Sequence, residues 1–144
     1  MSGYVVDASV AVKWLVTENF SEQAVRLLDE ELTLIAPELL FAEAGNALWV
    51  MCRRGIITKA DFAEAVGVLR TAPVSVPVSM RQLATSAGRL ATDLDHPVYD
   101  CFYLALAVQE QLPVVTADQR FYDVVHKHPY LSDRIVHVGS LQSS

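Results

Sequence analysis

The sequence predicts one three-layer α/β/α domain over residues 1–144, built around a central five-stranded parallel sheet. Three observations carry that expectation. Short β-branched runs recur along the chain, each separated from the next by a stretch with helical periodicity. The intervening helices act as crossovers, which favours parallel pairing and covers both faces of the sheet. With 144 residues and 52% apolar side chains, the chain can build a single sizeable core. The same numbers exclude disordered and collagen-like chains.

Tyr4-Val5-Val6 reads as a brief buried strand, and Ser9 to Val16 as the helix that follows. Ser21, a good N-cap, opens a second helix to about Glu31. Leu32 to Ala36 is the next strand. Pro37 stands at the start of a helix that runs to Arg54 and is stopped by Gly55. Thr58 with Asp61 three residues on marks another helix, lasting to about Thr71. Val74 to Val78 is a third strand, and Pro77 within it makes this an edge strand. Ser79 and Gln82 form a capping-box pattern that opens a helix to about Leu94. After the Asp95-His96-Pro97 break, Val98 to Gln111 is a strongly apolar helix. Pro113 to Thr116 is a fourth strand, Gln119 to about His126 a short helix, and Ile135 to Val138 a fifth strand.

Seventeen acidic residues against 11 basic ones leave a formal charge of −6. That excludes a protein that grips nucleic acid by coating it with positive charge. The mean hydropathy of +0.28 is high for a monomer of this size and points to apolar surface that meets a partner chain. The longest wholly apolar run, Cys101 to Val108, is far too short to span a bilayer. No signal-peptide pattern opens the chain, and Cys52 and Cys101 lack a CxxC pairing. The expectation is a reduced, cytoplasmic protein with no membrane segment.

Most of the acids, among them Glu22, Asp29, Glu30, Glu31, Asp61, Glu64 and Glu110, fall on polar helix faces or helix starts. Four others interrupt or end apolar segments. Asp7 follows the first strand at its carboxyl end, the edge where open parallel sheets bind ligands. Glu43 shares an apolar helix stripe with Leu39, Leu40, Ala47 and Val50. Asp100 lies in the first turn of the most apolar helix, and Asp118 follows the fourth strand. Each has a plain alternative: a helix cap for Asp7 and Asp118, a buried ion pair with arginine for Glu43, helix-dipole stabilisation for Asp100. Together they form a set whose self-repulsion a divalent cation would relieve. Oxygen ligands without cysteine, or histidine at ligand spacing, select magnesium or manganese over zinc. Such ions serve phosphodiester hydrolysis.

These segments resemble the PIN-domain ribonucleases, and most closely the VapC-type toxins of toxin–antitoxin pairs. Val5-Val6-Asp7-Ala8-Ser9 is similar to the family's opening strand with its first metal-binding Asp. The run Pro37 to Leu48, containing Glu43, Ala44 and Asn46, resembles the second motif. Tyr99 to Ala107, with Asp100, resembles the third, and Thr116-Ala117-Asp118-Gln119-Arg120-Phe121 the fourth. The likeness runs in order from about Tyr4 to Phe121. Ala44, Cys101 and Phe102 depart from commoner residues, and no acid is lost. The resemblance implies a PIN-like five-stranded sheet with seven or so helices and a Mg2+- or Mn2+-dependent endoribonuclease acting on RNA. It also implies a homodimer and a cognate VapB-type antitoxin lying across the active-site groove. On this reading Asp7, Glu43, Asp100 and Asp118 are the catalytic, metal-holding acids. Ser9, Thr116 and Asn46 are supporting candidates, each with a capping or packing role as the alternative.

Rival readings are separable. A haloacid-dehalogenase-like phosphatase wants a second Asp two residues after the first, where Ser9 stands. A receiver domain wants paired acids and a lysine ending its last strand, and the only lysines are Lys13, Lys59 and Lys127. A non-catalytic PIN-like module that binds RNA or protein stays open.

Overall fold

The computed structural model describes residues 2–29 and 31–141; Glu30, assigned a solvated helix position, lies outside them. Strand β1 (Gly3–Val6) pairs in parallel with β2 (Thr33–Ile35) on one side and β3 (Val114–Thr116) on the other. Strand β4 (Ile135–His137) joins β3, giving the order β2-β1-β3-β4. Helix α1 (Ala8–Ala11) continues as a 3-10 turn, Val12–Trp14, and is followed by α2 (Ser21–Arg26). The remaining helices are α3 (Leu39–Arg53), α4 (Lys59–Leu69), α5 (Met80–Leu94), α6 (Val98–Glu110) and α7 (Gln119–His126). The parallel sheet flanked by helices agrees with the sequence reading.

The strand count does not. Among the described residues the sheet has four strands, because Val74 to Val78 contributes only a single bridge, Ser75 opposite Ile35. Ser75 donates its N–H to the Leu34 carbonyl and accepts from the Ala36 N–H. The next rung would need an N–H from residue 77 for the Ala36 carbonyl, and Pro77 has none. Behind it, the Val74 N–H turns back to the Ala72 carbonyl. The expected fifth strand is therefore one rung long.

A second difference lies at α2. Phe20, at φ 68°, occupies the N-cap position, and Ser21 is the first helical residue. The Ser21 hydroxyl instead accepts from the Glu18 N–H at 2.8 Å and reaches the Val16 carbonyl at 3.2 Å, stitching the preceding loop. The other boundaries move by a few residues at most, apart from the C-terminus of α2, which ends at Arg26 rather than near Glu31. Both capping boxes form, at Thr58–Asp61 and Ser79–Gln82. Gly55, at φ 76°, ends α3 with the N–H of Ile56 bonded to the Met51 carbonyl and its own N–H to Cys52.

Helix α6 is buried almost all round: Cys101 and Tyr103 to Ala107 are interior, packed with Val5, Val6, Val114 and Val115 of the sheet and Phe121 of α7. A second cluster, Val12, Ala44, Leu48, Ala65 and Leu69, joins α3 to α4 and the 3-10 turn. Cys52 and Cys101 are free thiols. Among the described residues no helix is long and apolar enough to cross a membrane.

The β1–β2 contact leaves no room at Gly3, where a Cβ would stand 2.4 Å from the Thr33 carbonyl oxygen. Backbone cannot yield as a flexible side chain does. Gly3→Ala is expected to cost on the order of 1–3 kcal/mol, read as a lowered midpoint in thermal or urea denaturation. An unchanged midpoint would show that the strand pair can slide apart without loss.

Candidate active site

Asp7 leaves β1 at its carboxyl end and caps α1, accepting from the Val10 N–H at 3.3 Å through Oδ1. The Ser9 hydroxyl donates to the same oxygen at 2.6 Å. Ser9 Oγ also accepts from the Ala117 N–H at 2.9 Å and lies 3.4 Å from Thr116 Oγ1. Thr116 Oγ1 accepts from the Asp118 N–H at 3.0 Å, and Asp118 Oδ1 caps α7 by accepting from the Phe121 N–H at 3.1 Å. One chain of hydrogen bonds thus joins the carboxyl ends of β1 and β3. Capping and site placement are not exclusive for Asp7 and Asp118, since each does both.

Helices α3 and α6 bring the other two acids. Glu43 Oε1 accepts from the Tyr103 hydroxyl at 2.7 Å. Asp100 Oδ2 accepts from His96 Nε2 at 2.7 Å, an ion pair whenever the imidazole is protonated. No arginine pairs with Glu43 among the described residues, so the buried ion-pair alternative has no support there. Asn46 is exposed, one turn from Glu43, and makes no hydrogen bond to it among the described residues.

The electrostatics identify Asp100 as the hub. Burial pushes the Asp7 carboxyl up to about 7, and the nearby Asp100 charge adds to this, against hydrogen bonding from the Ser9 and Thr116 hydroxyls and the Val10 N–H. Burial also raises Glu43, with the Tyr103 hydroxyl opposing and Asp100 adding. Asp100 itself is raised by burial and by Asp118, with His96 opposing both through its hydrogen bond and its charge. Tyr103 is pushed far up by burial and then by the Glu43 charge, so its hydroxyl keeps its proton and acts only as a donor to Glu43.

Hydrogen-bond geometry ties each carboxylate through one oxygen: Asp7 Oδ1, Glu43 Oε1, Asp100 Oδ2 and Asp118 Oδ1. Among the described residues no three acidic, histidine or cysteine side chains close to metal-ligand spacing. The fit to a divalent cation therefore rests on donor chemistry rather than on a preformed cage. Four hard-oxygen donors gather around Asp100, whose charge acts on Asp7 and Glu43 and is itself opposed by Asp118, and among the described residues no lysine or arginine pairs with any of them.

Sequence reasoning overlooked His96 and Tyr103. His96 is buried, stacked on Phe121 at 5.2 Å between ring centroids. The Asp95-His96-Pro97 break reads as a turn, although the spacing of four to Asp100 was available. Tyr103 lies one turn beyond Asp100, and a phenol buried in so apolar a helix needs a partner for its hydroxyl.

Residues 4–127 match the family model of the PIN domain. The chain is 31% identical over 117 residues to "Ribonuclease VapC3" of Pyrobaculum aerophilum, covering 81% of this chain and 89% of that protein. It is 33% identical over 125 residues to "Ribonuclease VapC1" of Mycobacterium tuberculosis, covering 83% and 89%. Among solved structures, a Pyrobaculum aerophilum protein aligns with TM-score 0.66 at 23% identity, over 97% of this chain and 86% of that one. VapBC2 from Rickettsia felis, bound to a DNA fragment from their promoter, aligns with TM-score 0.63 at 14% identity, over 94% and 98%. These structural likenesses bear on the fold.

Asp7 is 3% exposed, and its ordinary carboxyl value of 3.8 becomes about 7 in the fold. Between those values the folded chain holds a proton that the unfolded chain has released. Stability is thus present at low pH and lost as pH rises through 7. Without divalent cation, Asp7→Asn should be more stable than the parent at pH 8 by on the order of 3 kcal/mol and nearly equal at pH 4. Thermal melts at the two pH values check this, and equal melts at pH 8 would contradict a buried charge.

Proposed function

The chain belongs to the PIN-domain family, and from that premise we propose that it is a divalent-metal-dependent endoribonuclease, the toxin of a VapBC-type toxin–antitoxin pair. The observation that carries the reading is the closeness of Asp100 to Asp7, Glu43 and Asp118, felt as repulsion between carboxylates, with Asp7 buried at the carboxyl end of β1. The names of the similar ribonucleases support the chemistry. The partners proposed with it are RNA as substrate, a VapB-type antitoxin and a second copy of the chain. The proposed setting is the cytoplasm, and the proposed unit is one domain.

The four acids would hold one or two ions, Mg2+ or Mn2+, through the oxygens that the hydrogen bonds leave open. When bound, such an ion would supply acidification of water and compensation of negative charge on a phosphate. The chain's own residues prepare that position. Ser9 and the Val10 N–H aim Asp7, and the Ser9–Ala117 bond locks it to the end of β3. Tyr103, always a donor, fixes Glu43, and His96 fixes Asp100. Thr116 supports the same lattice through the Asp118 N–H. Burial of Asp7 and Thr116 keeps bulk water from the floor of the site.

The direct test is cleavage of RNA by the purified protein in Mg2+, in Mn2+ and in EDTA. Cleavage should vanish in EDTA and fall by on the order of 100-fold or more in Asp7→Asn and Asp100→Asn. Full activity in either variant would sink the assignment.

Tyr103→Phe tests the positioning role separately. It keeps the buried ring and removes the donor to Glu43. Activity or metal affinity should drop about 10- to 100-fold, with the loss partly recovered at higher Mg2+. An unaffected variant would show that Glu43 needs no such hold.

A further inference from the structure

Tyr99 stands beside Asp100 and takes no part in the hydrogen bonds described above. It is 61% exposed, in the first turn of α6. With Leu39, Ala42, Glu43, Asn46 and Ala47 of α3 it lines an open cleft of about 340 Å3. Glu43 lines the cleft and feels the charge of Asp100, so whatever enters the cleft lies next to the proposed metal-holding acids.

The lining selects its occupant. Beyond Glu43, which the proposed metal site uses, the lining carries no cationic side chain to hold a phosphate, so the part of a ribonucleotide that fits against Tyr99, Asn46 and the apolar side chains is the uncharged base. A base offers flat π faces, which stack on aromatic rings, and an edge of donors and acceptors. The Asn46 carboxamide carries both a donor and an acceptor and is exposed, and among the described residues no side chain bonds to them. We propose that this cleft receives an unpaired nucleobase adjacent to the scissile phosphate, stacked on Tyr99 with its edge toward Asn46. The inference rests on the endoribonuclease reading and adds to it the two residues, Tyr99 and Asn46, that hold the base beside the cut.

Two readouts test it. A pentaribonucleotide with a central 2-aminopurine is titrated with the protein in a calcium buffer; stacking is sequence-tolerant, so the natural target need not be known. The parent and Tyr99→Trp should quench the probe, and Tyr99→Ala should need on the order of tenfold more protein. Absence of quenching by the parent, or an unchanged midpoint in Tyr99→Ala, overturns the proposal. In the cleavage assay Tyr99→Ala should raise KM for single-stranded RNA about tenfold, with kcat changed by less than about twofold. An unchanged KM overturns it. A parent that quenches the probe but cuts no RNA removes the nuclease reading and supports the stacking site. If Tyr99→Ala impairs only capture of a co-expressed antitoxin, with both RNA readouts unchanged, the cleft is a protein contact and the proposal falls.

Discussion

Val5 faces Val114 and Val6 faces Val115, and this parallel register carries β1 and β3 to the same edge of the sheet. Asp7 therefore emerges beside Thr116, with Ser9 near enough to bond across the gap. Every other site residue is placed relative to that seam. Helix α6 packs against β1 and β3 and delivers Asp100 and Tyr103; Tyr103 then reaches Glu43 on α3. An antiparallel pair, or a register slipped by one residue, would turn the Ser9 bond away and scatter the acids.

The seam is buried, and an ionised carboxylate there is costly. The structure tolerates it because the surrounding core is large and because neutral donors surround Asp7: a hydroxyl and a backbone N–H, not an arginine. A cationic side chain would have stabilised the fold and neutralised the charge on which the proposed cation site depends. His96 is the exception, and it touches Asp100, the acid that the other three crowd. The residual repulsion is where a bound cation would return free energy to the fold.

The alternation of β-branched runs and amphipathic stretches made the parallel architecture legible, and four acids breaking apolar segments marked the candidate site. Local signals worked where the local interaction is the whole story, as at the capping boxes and Gly55. They failed where a distant partner decides. Val74 to Val78 has strand composition, but Pro77 stands at the one position where the ladder needs an N–H. Ser21 looks like a cap, but the loop from Val16 to Glu18 claims its hydroxyl. Tyr103 acts through a bond to a residue sixty positions away, set by how α3 crosses α6, which no window of sequence contains, whereas the His96–Asp100 pair is local and was hidden by the turn-like Asp95-His96-Pro97.

Pro77 has a second effect. A sheet that ends on an open strand offers a row of unpaired N–H and C=O groups to any other extended chain. Here the outer side of β2 is met at Ser75 by a segment that cannot lengthen past Pro77, and Pro73 lies just before it. The rung occupies the edge without presenting a new one. For a protein whose apolar fraction is high, this is protection against fibrillar self-association: the residue that denies the sheet its fifth strand also denies a neighbouring molecule a sixth.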